Sequence, residues 1–172
     1  NVLKEYGYEF SKENNKLAKS IPKFEFAPPV FPKHSPGKML DRIGAVQLDS
    51  LPDDHIANQF VESRKLPRDK TRGLYYIDDE EKLEELSPKY KNRIVGHAAR
   101  LLLPFCDRDG NMTGLTGRLI GDKGLRYLTL KFNGDAEPLI FGLENLDVHR
   151  NITVVEGPLD SLFLVNCIAV GG

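Results

Sequence analysis

Two carboxylates four residues apart, Glu156 and Asp160, are the sharpest chemical signal in the sequence. They fall in VVEGPLD (154–160), at the end of the β-branched run ITVV at 152–155. A wholly apolar run of that kind is what a parallel sheet buries on both faces. A carboxylate just past the carboxyl end of a buried strand stands where α/β sheets place their ligand sites. Gly157 lets the chain turn sharply with its backbone close to a ligand. Asp160 then falls in the first turn of a helix. The pair has two readings. Together they hold a hard cation, which prefers carboxylate oxygens, or Asp160 caps its helix and Glu156 is a solvated turn residue.

The other candidates are weaker. His34, His55, His97 and His149 are scattered with no paired ligand spacing, so no metal site is expected of them. Asp107 and Asp109 make a DxD, but DRDGN lies between two apolar runs and reads as a hairpin turn. Cys106 and Cys167 lack any CxxC or CxxH neighbour and sit among apolar residues, so they read as buried free thiols.

The elements that must position these groups follow from pattern. Residues 21–38 hold five prolines and read as an extended strap, its Phe24, Phe26 and Phe31 packed on a core. A short helical piece is expected at 39–43. A helix follows the SLPDD run at 50–54, capped by Ser50 or Asp53, with Ile56, Phe60 and Val61 on its apolar face. An acidic helix is expected at 78–86, capped by Asp78 or Asp79. Beyond Arg100 the texture becomes strand–turn–strand, an antiparallel meander over 100–132. A short apolar stretch at 138–143 precedes the strand at 152–155, a helix at 160–165 and a buried strand at 167–170. The fold class is therefore α+β: an N-terminal helical segment, an antiparallel β-meander subdomain, then the first β-α-β unit of a truncated α/β domain. The segments divide at 1–50, 51–99, 100–150 and 151–172.

The 172 residues are 40% hydrophobic and 28% charged, the composition of a folded domain. No apolar run approaches the roughly 20 residues that span a bilayer, and no signal peptide is visible, so a cytoplasmic setting is expected. The net charge of −1 gives no overall case for nucleic-acid binding, which would have to rest on local charge. The sequence stops on an apolar strand-like run, which reads as a fragment.

The ordered motifs RLLLPFCDRDG (100–110), GLTGR (114–118), RYLT (126–129), IFGL (140–143) and VVEGPLD resemble the core of the DnaG-type primases of bacteria and phages. In that family an arginine before an FP strand, a dGxxxGFxGR turn and strand, a kYlN strand and an lYGL stretch lead into a Toprim domain. Residues 54–76 also resemble the helical segment ahead of that core. The resemblance implies that Glu156 and Asp160 are catalytic carboxylates of metal-dependent phosphoryl transfer, with Glu156 a ligand to Mg²⁺ or Mn²⁺. It implies that Arg118 and Arg126 line a groove and contact template backbone or triphosphate, with Arg100 in support and Gly117 and Gly157 as turn glycines. The implied partners are a single-stranded DNA template, nucleoside triphosphates and a replicative helicase.

The implied function is template-directed RNA primer synthesis in DNA replication, carried by the cytoplasm of the host if the protein is phage-encoded. The sequence departs from the family in three places: the Toprim DxD, the zinc ribbon and a lysine before lYGL are not found. On this reading the chain alone synthesises no primer. Two other readings remain open, another Toprim protein (a nuclease or recombination factor) and a non-catalytic single-strand-binding module.

Overall fold

A computed structural model describes residues 35–132 and 137–171. The proline-rich strap up to residue 34, with its three phenylalanines, and the GDA of 134–136 where the family lysine was sought lie outside the described residues. Those that are described fall in one compact unit, Lys33–Gly172.

The unit is built on two sheets. The larger has five antiparallel strands in sequential order, β1 (Val46–Gln47), β2 (Tyr75–Ile77), β3 (Arg100–Cys106), β4 (Met112–Leu119) and β5 (Tyr127–Lys131). Its last three strands are the expected meander. The β3–β4 connection is the expected hairpin turn, with Asp107 Oδ1 accepting from the backbone N–H of Asp109 and of Asn111, each at 2.9 Å. Two strands from the nominally helical segments, β1 and β2, extend the sheet beyond what was anticipated. The smaller sheet has the order β6-β8-β7, from β6 (Leu139–Phe141), β7 (Thr153–Val155) and β8 (Cys167–Gly171). β7 and β8 run parallel and are joined through a short helix, so the expected β-α-β unit is present.

The helices are short and locally determined. α1 (Pro36–Arg42) begins three residues earlier than anticipated, because Pro36 takes the first helical position, where its missing N–H costs nothing. α2 (Ile56–Ser63) is capped by neither Ser50 nor Asp53: Ser50 belongs to a 3₁₀ turn, and His55 Nδ1 accepts from the Ala57 N–H at 3.2 Å. The acidic run Glu80–Leu86 is a 3₁₀ helix capped by Asp79. α3 (Pro158–Ser161) is a single turn.

Each face of the large sheet carries its own core. On one, Leu101, Leu103 and Phe105 meet α2 through Ala57 and Val61, the small sheet through Phe141 and Ala169, and α3 through Leu159. The Phe105 and Phe141 rings meet edge to face at 5.8 Å. On the other, Leu102, Leu115 and Leu130 meet Leu40 of α1 and Leu83 of the 3₁₀ run. Cys106 is buried at the end of β3, and burial pushes its thiol up to about 12. Cys167 is only partly buried, a departure from the expected pair of buried thiols. The strand at 152–155 is likewise not buried on both faces: β7 is the outer strand of its sheet, and Val154 is 59% exposed. Among the described residues no helix is long and apolar enough to cross a membrane.

Candidate nucleic-acid interface

Strand pairing decides which face each candidate arginine occupies. Residues directly opposite across a ladder share a face. Arg118 pairs with Leu101 and with Tyr127, so it lies on the face that carries α2. Gly117 pairs with Leu102 and Leu128, which belong to the opposite core. Arg100, two residues from Leu102, follows it there. Arg100 and Arg118 therefore point to opposite sides of the sheet.

Arg100 is 1% exposed. Its Nε forms an ion pair with the buried Glu80 carboxylate, and its Nη1 donates to the carbonyls of Gly117 at 2.9 Å and Leu125 at 3.0 Å. It braces the 3₁₀ run against the ends of β4 and β5, which is support and not groove lining. Gly117 is no turn residue. It sits within β4, and a Cβ there would stand 2.8 Å from Arg100 Cδ, so glycine leaves room for the arginine to cross the strand.

Arg118 is 8% exposed and held differently. Its guanidinium lies 5.8 Å from the centroid of the Phe60 ring and 5.0 Å from that of Tyr127. Nη1 donates to the Arg126 carbonyl at 3.1 Å, and the buried Nε has no hydrogen-bond partner. Arg64, the C-cap of α2, lies 4.9 Å over Phe60, and Arg126 lies 5.7 Å from Tyr127. The result is an alternating row, Arg64–Phe60–Arg118–Tyr127–Arg126, drawn from α2, β4 and β5. Among the described residues no carboxylate forms an ion pair with any of the three arginines. Burial lowers the Arg118 pKa from its ordinary value; Tyr127, the next largest influence, opposes it, and the charges of Arg64, Arg126 and Arg100 add to the lowering. Guanidinium groups so gathered, without counter-charge, match the oxygens of a phosphate, which they bind bidentately.

Glu156 follows β7 directly and is exposed, as is Asp160 in the first turn of α3. Neither has an ion pair or side-chain hydrogen bond among the described residues. Gly157 has an extended backbone (φ −94°) open to any residue, so it is not a turn glycine by conformation. What crowds it is the Asp160 carboxylate, folded back toward the start of its own helix. Both offer the carboxylate oxygens that hard cations prefer. A second group, unforeseen in the sequence, joins Asp79, Glu81 and His97, whose ligand atoms all lie within 4.8 Å of one another. His97 Nδ1 is 3.0 Å from Asp79 Oδ2 and 3.5 Å from Glu81 Oε2.

No protein-family model matches the sequence. Over 99% of its length, however, the chain is 31% identical to the DNA primase of Enterobacteria phage T4, of which it covers 48%. The fold agrees. The structure aligns with the Aquifex aeolicus primase (zinc-binding and RNA polymerase domains) at a TM-score of 0.56 and 24% identity, over 76% of this chain and 40% of that one. It aligns with a DnaG primase catalytic domain bound to single-stranded DNA at 0.55 and 20% identity, over 78% and 55%. The chain is thus similar to a phage primase over nearly its whole length, and its fold is that of the DnaG-type catalytic cores.

It spans about half the length of the T4 primase it matches. Within this core the motifs of the resemblance take successive strands: RLLLPFC forms β3, GLTGR lies in β4, RYLT enters β5 and IFGL leaves β6. The sequence offers Phe60 as part of an apolar helix face and Tyr127 within RYLT, but neither, nor Arg64, as a neighbour of Arg118. Phe60 and Arg64 are one helical turn apart, a spacing that places them together on α2, but nothing in the sequence says that β4 brings Arg118 against them.

Proposed function

We propose that this chain is the template-gripping part of a primase, a nucleotidyltransferase that makes RNA primers during DNA replication. The observation that carries it is the row of Arg64, Arg118 and Arg126 without counter-charge, in a protein whose net charge is −1. The likeness to a catalytic domain bound to single-stranded DNA supports the same ligand. In this reading Arg118 and its neighbours take phosphates of the template strand or of a nucleoside triphosphate, and Arg100 holds the strand ends that carry them. The β7-α3-β8 unit is the opening of a Toprim domain. Glu156 and Asp160 hold one side of a Mg²⁺ or Mn²⁺ site. When bound, the cation draws charge from phosphoryl oxygens during transfer. A replicative helicase is a further partner that the primase reading implies, in the host cytoplasm for a phage-encoded protein.

The test is the affinity of the 172-residue chain for a fluorescent oligo(dT), measured by anisotropy across a salt series. Two or three phosphate contacts give a log–log slope of about −1.4 to −2.1 on a single strand. Arg118→Ala is expected to weaken binding about tenfold or more at low salt, the loss of one charged hydrogen-bonding group, and to flatten the slope by about 0.7. A slope near zero for the unaltered chain, or unaltered binding by the variant, overturns the reading.

A further inference from the structure

Among the described residues two arginines are buried, and they are held in two different ways. Arg100 is fixed by a carboxylate, and its donors go to Glu80, Gly117 and Leu125. Arg118 is nearly as buried but has no carboxylate, gives one hydrogen bond to the Arg126 carbonyl, and leaves Nε without a partner. What flanks it instead are two rings, Phe60 and Tyr127. A ring attracts a guanidinium through its π face and accepts none of its N–H groups in the ordinary way. A carboxylate would neutralise the charge and occupy the same N–H edge that a phosphate needs.

We infer that Phe60 and Tyr127 are positioning residues of the single-strand interface: they stand where a carboxylate would otherwise hold Arg118, and so keep its charge and its N–H groups for a phosphate. The same two rings also meet Arg64, one turn further along α2, and Arg126, the residue before β5. Tyr127 shows the role most clearly. Its ring is 45% exposed, so burial does not account for an aromatic there, and its hydroxyl has no hydrogen-bond partner among the described residues. The inference rests on the proposed single-strand binding, and extends it to residues that need not touch the strand.

The experiment uses the oligo(dT) anisotropy series with four variants that separate ring from bulk. Phe60→Leu and Tyr127→Leu keep apolar volume and lose the π face, whereas Phe60→Tyr and Tyr127→Phe keep it. Each leucine variant is expected to bind about threefold to tenfold more weakly, the range of one or two cation–π contacts, with a slope moved toward that of Arg118→Ala. The ring-retaining variants bind as the unaltered chain does. Should Phe60→Leu fail to fold, the comparison of Tyr127→Leu with Tyr127→Phe decides, since that side chain is half exposed. Unaltered affinity and slope in Tyr127→Leu, alongside a loss in Arg118→Ala, overturns the positioning role alone. Unaltered binding by Arg118→Ala removes the interface and the inference with it.

Discussion

His97 holds its imidazole between the carboxylates of Asp79 and Glu81. Its pKa is raised above 6.5, first by the hydrogen bond to Asp79 and then by the charges of Asp79 and Glu81. Asp79 is lowered below 3.8, chiefly by the same hydrogen bond and then by the Glu81 N–H that it caps. The histidine contribution is fully present below pH 6.5 and fades as the pH rises through the raised value. The aspartate contribution is present above pH 3.8 and fades as the pH falls through the lowered one. The contact is therefore strongest in the interval between the two ordinary values. All three groups are surface residues, so it orders the turn around Glu80 more than it stabilises the fold. An NMR titration is expected to place His97 above 6.5 and to return it toward that value in Asp79→Asn; an unshifted His97 would remove the contact. None of this was legible in the sequence, where the partners stand 18 and 16 positions away. The β2–β3 ladder, the Arg100–Glu80 ion pair and the Glu80 N–H bond to the Ala98 carbonyl bring them together.

At the scale of the element, β4 explains why the meander was legible and its glycines were not. Strand alternation and the DRDGN turn are local, so 100–132 could be read directly as strand–turn–strand. The two glycines of β4 answer to neighbours from other elements. A Cβ on Gly114 would stand 2.6 Å from Leu139 Cδ2 and 2.7 Å from the Leu130 carbonyl oxygen, one of them on β6 and the other backbone of β5. A Cβ on Gly117 would press on the Arg100 side chain alone at that range. Backbone in a ladder yields less than a side chain. Gly114→Ala is therefore expected to lower stability by about 1–3 kcal/mol in urea unfolding, as overpacking does, and Gly117→Ala by less. The reverse order would mean that the Arg100 brace is stiffer than the seam between the sheets. β1 and β2 escaped notice for a simpler reason: at two and three residues they are too short to show a period.

Across the whole molecule, apolar sequence and actual cover part company in the small sheet. Its inner face is closed: Phe141, Val155 and Ala169 join the core, and a Cβ on Gly171 would meet the Phe105 ring at 2.9 Å. The register places Ile140, Val154, Ile168 and Val170 together on the other face, where Val154 is 59% and Val170 42% exposed. Phe163 and Val165, just past α3, are exposed as well. The β-branched run at 152–155 reports how apolar a strand is, and not what lies over it, so the sequence reading of a strand buried on both faces fails on the outer one. A contiguous apolar face of this kind binds apolar probes. The chain is expected to enhance the fluorescence of anilinonaphthalene sulfonate while its amide circular dichroism is that of a folded protein. The double variant V154T/V170T keeps the β-branched shape on the strands, where threonine is well tolerated, and exchanges one methyl for a hydroxyl at each of two exposed positions of that face. It is expected to lose most of the enhancement without a change in circular dichroism. Undiminished dye binding would place the apolar surface elsewhere and leave the outer face of β6-β8-β7 covered in solution.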